Sequence, residues 1–251
     1  MLPVDDLGEP VPLPGPPRRV VSLVPSLTEA VDPSVLVGAT DYCTHPEGLE
    51  VDRVGGSKYP HVDQVIGLQP DLVLANSEEN RPQDVERLRA NGIPVWVMAA
   101  PASVPAALGS LRRLFGTAWD VEPDWLVKAE NLWRHVEQPR ARAIVPVWRK
   151  PWVVVGRDTF AGDVLRRLGV LNAYADHAER YPRPTLEELQ ATKVDLVVLP
   201  DEPYLFTPDD GPQFFPGTRA VHVSGRFLTW YGPALVEARP ALEKALSGTG
   251  R

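Results

Sequence analysis

Short apolar, β-branched runs recur along the chain, separated by stretches whose apolar residues fall at helical spacing. Residues 20–24, Val-Val-Ser-Leu-Val, read as a buried strand ended by Pro25. Ser26 and Glu29 stand at capping-box spacing and predict a short helix, which Asp32-Pro33 stops. Residues 35–39 return as strand. A second unit follows, with a helical stretch over 62–68, strand 71–75, helix 82–91 and strand 95–98, and Gly92 sits where a left-handed helix stop belongs. The second half repeats the grammar: strand 152–155, helix 163–168 ending at Gly169, a capping box from Thr185 to Glu188, then strands 195–199 and 220–223. Strands alternating with helices predict an α/β protein with doubly wound, largely parallel sheets.

Between the halves, Leu126, Ala129, Leu132, Trp133 and Val136 follow helical spacing, and Pro123 and Pro139 bracket them. Residues 123–138 are therefore expected to form a rod joining two lobes. The expected division is an amino-terminal lobe over 1–118, a connecting helix within 119–140 and a carboxyl-terminal lobe over 141–251. Residues 1–17 carry six prolines and read as an extended arm, in which Asp5-Asp6-Leu7-Gly8 can turn a small hairpin between Val4 and Val11 as an edge decoration.

The two halves also echo each other. Gln69-Pro-Asp71-Leu-Val-Leu-Ala matches Lys193-Val-Asp195-Leu-Val-Val-Leu, and eight residues before each aspartate stands a carboxylate, Asp63 in one half and Glu187 in the other. One reading makes them solvated first-turn acids favoured by the helix dipole. The other makes them a two-pronged docking surface for a partner's arginines.

Composition narrows the function classes. At 251 residues the chain can bury a full core as one domain or as two lobes of roughly 110 residues. A net charge of −7 argues against a nucleic-acid partner and against an anionic membrane surface. No apolar run approaches the roughly 20 residues that span a bilayer, so no membrane insertion is expected. The first ten residues lack a basic and apolar leader, and the single cysteine, Cys43, excludes an internal disulfide framework. On that reading the protein stays in the cytoplasm as a monomer. A native start upstream of Met1 would put it in the periplasm or outside the cell.

In open α/β sheets ligands bind beyond the carboxyl ends of the strands. The loops there hold Tyr42, Cys43 and His45; Ser57 and Tyr59; and Asn76, Glu78 and Glu79 in the first half. In the second half they hold Arg157, then Glu202 and Tyr204, then Arg226, Phe227, Trp230 and Tyr231, while Trp148 and Trp152 flank the strand taken as the first of that half. Flat rings give large apolar contact at little rotamer cost, which suits a bulky rigid ligand. Cys43 and His45 could offer a soft and a borderline metal ligand, but two groups do not complete a tetrahedral site, and a cysteine packed as a small hydrophobe competes with that reading. There is no GxSxG elbow, Walker loop, GxGxxG or HExxH, so catalytic residues are expected to be none.

Several segments in order carry a family resemblance: Arg19-Val-Val-Ser-Leu-Val-Pro-Ser-Leu-Thr-Glu29, Val37-Gly38, Val54-Gly55-Gly56, Leu68-Gln-Pro-Asp-Leu-Val-Leu-Ala75 and Leu88 through Gly92-Ile-Pro-Val95. From about residue 4 to 246 the chain resembles the helical-backbone (class III) periplasmic binding proteins of ABC importers, which bind vitamin B12 or ferric siderophores. The resemblance implies two Rossmann-like lobes joined by one long helix. It also implies that Asp63 and Glu187 dock on arginines of a permease and that Tyr42 lines a corrinoid cleft. Ser57 and Asn76 stand where the B12-binding branch has tryptophans, with Tyr59 close by, and Ala234 stands where members often have arginine. The Asn-Ser-Glu-Glu-Asn stretch at 76–80 is similar to that of members without a leader.

The function expected is a non-catalytic receptor holding cobalamin, another corrinoid or a metal chelate in the inter-lobe cleft, with no cofactor required. Tyr42, Tyr59, Trp148, Trp230 and Tyr231 would grip the ligand, and Glu78, Glu79, Arg157 and Arg226 would set polarity. The alternatives are a ferric-siderophore or metal-ion receptor, a chelatase-like enzyme of tetrapyrrole handling using His45, His177 or His222, and a cytoplasmic docking protein acting through Asp63 and Glu187.

Overall fold

The apolar runs become strands because they are buried on both faces, as parallel strands flanked by helices must be. A computed structural model of the chain describes residues 2–248. It divides into two compact units, Met1–Ala100 with Leu108–Val127, and Pro101–Ala107 with Lys128–Arg251.

In the first unit, β1 (Val20–Ser22), α1 (Pro25–Ala30), β2 (Leu36–Ala39), β3 (Asp52–Arg53), α2 (Val62–Gly67), β4 (Leu72–Asn76), α3 (Pro82–Ala90) and β5 (Val95–Met98) follow in order. The five strands form one parallel sheet in the order β3-β2-β1-β4-β5. Val21, Leu23, Val73, Ala75, Val95 and Val97 from the strands, with Val65 and Leu88 from the helices, make its core. The capping box expected at Ser26 is not formed. Pro25 presets the backbone angle of the first helical position, so the helix starts two residues earlier with Val24 as its cap, and Ser26 is buried inside it.

The amino-terminal arm is more than an edge decoration. Val4 bridges Pro10 around Gly8. The buried Asp5 carboxylate accepts the N–H groups of Leu7 and Glu9 at 2.9 Å and that of Val97 at 3.2 Å, and it pairs with Arg89 at 2.7 Å. Asp6 takes the Ala99 N–H and pairs with Arg113. The arm is thereby tied to the β5 edge.

Helix α4 (Val104–Ala118) runs through the point where the chain passes from the second unit back into the first, and α5 (Asp124–Trp133) spans the next passage. The sequence pattern misses α4 because Pro105, Gly109 and Gly116 read as breakers; Pro105 lies in the first turn, where no donor is needed. The helix expected over 123–138 stops at Trp133. Beyond it the backbone is captured by the end of another helix, the Glu137 N–H by the Arg167 carbonyl at 3.0 Å and that of Arg140 by Gly169 at 2.8 Å. Gly169 is required there: its φ is +75°, and a Cβ would lie 2.6 Å from the Gln138 carbonyl.

The second unit continues with β6 (Ala141–Ile144), β7 (Pro146–Trp148), β8 (Val153–Val154), α6 (Phe160–Arg167), β9 (Val170–Asn172), α7 (Leu186–Ala191), β10 (Leu196–Pro200), β11 (Arg219–Val223), α8 (Gly225–Thr229) and α9 (Leu235–Ser247). Its parallel sheet has the order β11-β10-β6-β9. The strand expected over 152–155 is not part of it, since β8 pairs antiparallel with β7 as a separate hairpin. The first strand of the sheet is instead β6, whose Ala-Arg-Ala-Ile sequence shows no continuous apolar run. Around Ile144, Val197 and Leu199 gather Leu189, Phe206 and Phe215 as core. The Thr185–Glu188 capping box is present, with the Thr185 hydroxyl accepting the Glu188 N–H at 3.2 Å and the Glu188 carboxylate accepting that of Thr185 at 2.7 Å.

The echoed aspartates do the same work in both units. Asp71 accepts the N–H groups of Arg18 at 2.8 Å and Arg19 at 2.9 Å, and the Arg19 guanidinium returns to the carbonyls of Leu68 and Gln69. Asp195 accepts the Arg142 N–H at 2.7 Å, and the Arg142 guanidinium reaches the carbonyls of Lys193 and Ala173. Each aspartate thus fixes its strand against a neighbour, β4 on β1 and β10 on β6.

Asp163 anchors the second unit's helices. It is buried and accepts from Arg167, Arg166 and the Val104 N–H at the start of α4. Burial pushes its carboxyl up, but the bonds from Arg167, Val104 and Arg166 outweigh that and hold it below the ordinary aspartate value. Its stabilising effect is therefore complete at neutral pH and is lost as pH falls through that lowered value. Asp163→Ala leaves Arg167 buried and unpaired, and should cost about 3 kcal/mol in urea unfolding at pH 7. The gap between variant and parent should narrow as pH falls below about 3.9; a pH-independent gap refutes this role for Asp163.

Candidate functional site

In the first unit the loops beyond β2, β3 and β4 are cross-braced by backbone. Asn76 is buried, and its side-chain oxygen accepts the N–H groups of Glu78 at 2.7 Å and Glu79 at 3.3 Å. Its own N–H donates to the Asn80 side chain at 2.7 Å, and the Asn80 amide reaches the Ser57 carbonyl at 2.8 Å. Asn76 is thus frame, Ser57 lends its backbone carbonyl to that frame while its residue stays half-buried, and Asn80 is a framing residue absent from the expected site. The pair of asparagines four apart was its signal in the sequence. Lys58 reaches the Glu78 carbonyl at 3.5 Å.

On this frame Tyr42 and Tyr59 are each 66% exposed. A Cβ on Gly56 would lie 3.4 Å from the Tyr42 ring, an ordinary contact distance, so the ring passes close to this backbone. Arg81 lies 4.6 Å from the centre of the Tyr59 ring. Arg81 was not anticipated either, though its pairing with Asp84 three residues on is a readable helix-start signal.

Cys43 and His45 diverge in environment. The Cys43 sulfur is buried, 2.9 Å from the Thr28 hydroxyl and 3.1 Å from that of Thr40, and burial pushes its thiol up. The half-buried His45 ring bonds the Thr44 hydroxyl at 3.1 Å. Among the described residues no three His, Cys, Asp or Glu side chains gather as a metal site.

In the second unit Trp148 is 44% exposed and meets the Tyr204 ring edge-on at 5.7 Å. The Tyr204 hydroxyl accepts from Arg149 at 3.0 Å and donates to Asp210 at 2.5 Å, while Arg149 also pairs with Asp210 at 2.9 Å. The hydrogen bond from Tyr204 and that from Arg149 hold the Asp210 carboxyl below the usual range. Arg157 is exposed and paired with its neighbour Asp158.

Trp230 and Tyr231, expected to line the site, are instead buried. Tyr231 meets Phe160 edge-on at 5.8 Å, and Trp152 stacks on Phe206 within the core. Arg226 lies over the Phe227 and Trp230 rings. Phe227 follows Ser224, the hydroxyl of which caps α8. Gly225 is obligatory in that turn, because a Cβ would fall 2.2 Å from Glu202 Cγ. The missed groups here, Arg149 and Asp210, lie 61 residues apart, beyond any local pattern.

The exposed aromatic side chains among the described residues are Tyr42, Tyr59, Trp148 and Tyr181. Tyr42 and Tyr59 follow β2 and β3, Trp148 ends β7, and Tyr181 lies in the segment after β9. Tyr181 was not among the expected site residues. Asp63 and Glu187 are both the second residue of a six-residue helix, α2 and α7, and both are exposed. Asp63 contacts Arg87.

Comparisons with known proteins agree on the fold. The family model described as "Periplasmic binding protein" matches residues 27–221. The vitamin B12-binding protein of Salmonella choleraesuis (strain SC-B67) is 25% identical over 194 residues, 72% of this chain and 71% of that protein. Among solved structures, the periplasmic heme-binding protein RhuT from Roseiflexus sp. RS-1 in apo form has a TM-score of 0.73 at 21% identity, covering 91% of this chain and 98% of that one. The periplasmic vitamin B12 binding protein BtuF of Vibrio cholerae has a TM-score of 0.72 at 18% identity, covering 94% and 100%. The family match and the vitamin B12-binding relative overturn the cytoplasmic location: the family is one of periplasmic binding proteins. The expectation stood on the first ten residues of the chain, which do not carry that information.

Glu202 offers a direct test of the loop beyond β10. Burial pushes its carboxyl up, and the Trp230 hydrogen bond and nearby Arg226 offset this only in part. The folded state therefore keeps this proton to higher pH than the unfolded chain does, so stability falls as pH rises from the ordinary glutamate value through the raised one. Glu202→Gln retains an acceptor for the indole and removes the charge. It should raise the melting temperature at pH 7, with the gain fading toward pH 4; equal shifts at both would contradict the assignment.

Proposed function

The chain belongs to the periplasmic binding protein family, and on that premise we propose that it is a non-catalytic receptor for a flat, rigid metal chelate of the cobalamin or tetrapyrrole kind. One observation carries the reading: the exposed aromatic rings among the described residues lie at or beyond strand ends, where α/β sheets bind ligands. Leaving such rings partly in water forgoes a share of the roughly 1.5–3 kcal/mol that full burial of a large apolar side chain gives, an arrangement that suits a ligand able to cover them. Relatives named for vitamin B12 and fold neighbours named for B12 and heme support the same class.

Charge favours a near-neutral corrinoid over a multiply anionic siderophore complex. Arg149 and Arg157 are each paired with an aspartate of their own unit, Asp210 and Asp158, so seizing an anionic ligand would mean exchanging one carboxylate for another. Cyanocobalamin should quench tryptophan fluorescence saturably, with half-saturation below about 10 μM. Trp148→Phe should remove most of the signal, and Trp148→Ala should weaken binding about tenfold. No saturable change up to roughly 50 μM with either cyanocobalamin or hemin would sink the receptor reading.

Delivery to an importer's permease is the second half of the proposal. Asp63 and Glu187 hold the same position in the two units, and paired acids of this kind suit arginines on a partner. Reversing both, Asp63→Lys with Glu187→Lys, should abolish retention on the importer's permease in detergent while leaving the fluorescence titration unchanged. Retention at the parent level would remove these residues from docking.

A further inference from the structure

We propose that Arg81, locked by Asp84, is a positioning residue that presents the Tyr59 ring for ligand stacking; the inference rests on the receptor reading above. Asp84 sits in the first turn of α3 with its side chain 9% exposed, and takes Arg81 in a two-pronged grip, Nε at 2.8 Å and Nη2 at 2.9 Å. The guanidinium is thereby fixed with its carbon 4.6 Å from the centre of the Tyr59 ring. One face of the ring rests on a cation while the residue as a whole stays 66% exposed, so its free surface is turned to solvent.

The backbone at both ends of this contact is tied together. Asn80, immediately before Arg81, donates to the Ser57 carbonyl at 2.8 Å, two residues before Tyr59. An unrestrained arginine would lose rotamer freedom on packing beneath the ring, and an unsupported tyrosine would lose it on meeting a ligand. Here both losses occur on folding, before any ligand arrives. A guanidinium fork held by a carboxylate is also specific to arginine, because lysine cannot reproduce two parallel bonds.

The second unit carries a related but indirect arrangement. Asp210 holds Arg149, both grip the Tyr204 hydroxyl, and the exposed Trp148 meets the Tyr204 ring edge-on. A carboxylate-pinned guanidinium thus lies directly against an exposed ring in the first unit and, in the second, holds the half-buried ring that an exposed one meets. Neither arginine is offered to the ligand as a charge.

The test is a double-mutant cycle on cyanocobalamin affinity, with thermal melting followed in parallel. Tyr59→Ala should weaken binding about tenfold, and Arg81→Lys and Asp84→Asn about threefold to fivefold each. In the Tyr59→Ala background, Arg81→Lys should have no further effect, because its influence passes through the ring. If the parent binds and Tyr59→Ala weakens it while the Arg81 and Asp84 variants match the parent, or their losses simply add to that of Tyr59, the positioning role is overturned and the receptor reading stands. Parent-like binding by Tyr59→Ala likewise overturns the positioning role and leaves the receptor reading in place. A parent that binds neither cyanocobalamin nor hemin removes both. Should Asp84→Asn melt too low to titrate, aromatic NMR of free Arg81→Lys decides: a Tyr59 ring as ordered as in the parent refutes the proposal.

Discussion

An aspartate at the amino end of one strand, gripping the backbone at the start of its neighbour, sets the geometry on which the functional loops of both units depend. Asp71 bonds the N–H groups of Arg18 and Arg19, and Asp195 bonds that of Arg142. Parallel strands have no hairpin turn to set their register, and a slip of one residue would turn every inward side chain outward. The aspartates supply the missing constraint. The arginines return the favour by reaching carbonyls at the end of the preceding helix or loop, Leu68 and Gln69 in one unit, Lys193 and Ala173 in the other. Strand, neighbour and preceding segment are thereby locked at one end, and the loops at the opposite end emerge from fixed positions.

The same latch explains why counting along the chain found equivalent acids. With the aspartate fixed at the strand's start and a six-residue helix leading into it, eight residues back lands on the second helical position each time. Local chemistry then separates the pair. Asp63 touches Arg87 on α3, whereas the corresponding turn of α7 carries a full capping box beside Glu187. Asp63 therefore stays exposed but already carries an arginine contact within its own unit.

What the sequence made legible follows from how far each determining interaction reaches along the chain. The runs that became β1, β4, β5 and β10 announce themselves through burial on both faces, which shows in composition alone, and β2 and β11 through their short β-branched apolar runs. Strand β6 does not, because Arg142 interrupts its apolar pattern in order to serve the latch. Helix α4 was hidden by a proline harmless in a first turn, and the Ser26 box was pre-empted by Pro25. In the candidate site, residue type identified the aromatic loops but not which rings would be exposed. Trp230 and Trp148 look alike in sequence, yet the first is closed in beside Glu202 and Arg226 while the second ends a hairpin in solvent. That difference is set by partners tens of residues away, such as Asp210 for Arg149, and no local window contains them.

In the proposed receptor, the pairing of the loop arginines bears on the kind of ligand. A receptor for a small anion would hold its arginines open, since each free guanidinium could make a bidentate bond to the incoming charge. In these loops Arg81, Arg149 and Arg157 are each matched to an aspartate, and Arg81 and Arg149 lie against rings. Each of these charges is balanced within its own unit. What remains exposed on the aromatic side is area: Tyr42 and Tyr59 in one unit, Trp148 in the other. In the proposed receptor, affinity would come chiefly from covering such rings, which favours a ligand that is broad, flat and rigid. A small or flexible solute could satisfy neither condition, because it would cover too little of the rings and would itself lose freedom on binding.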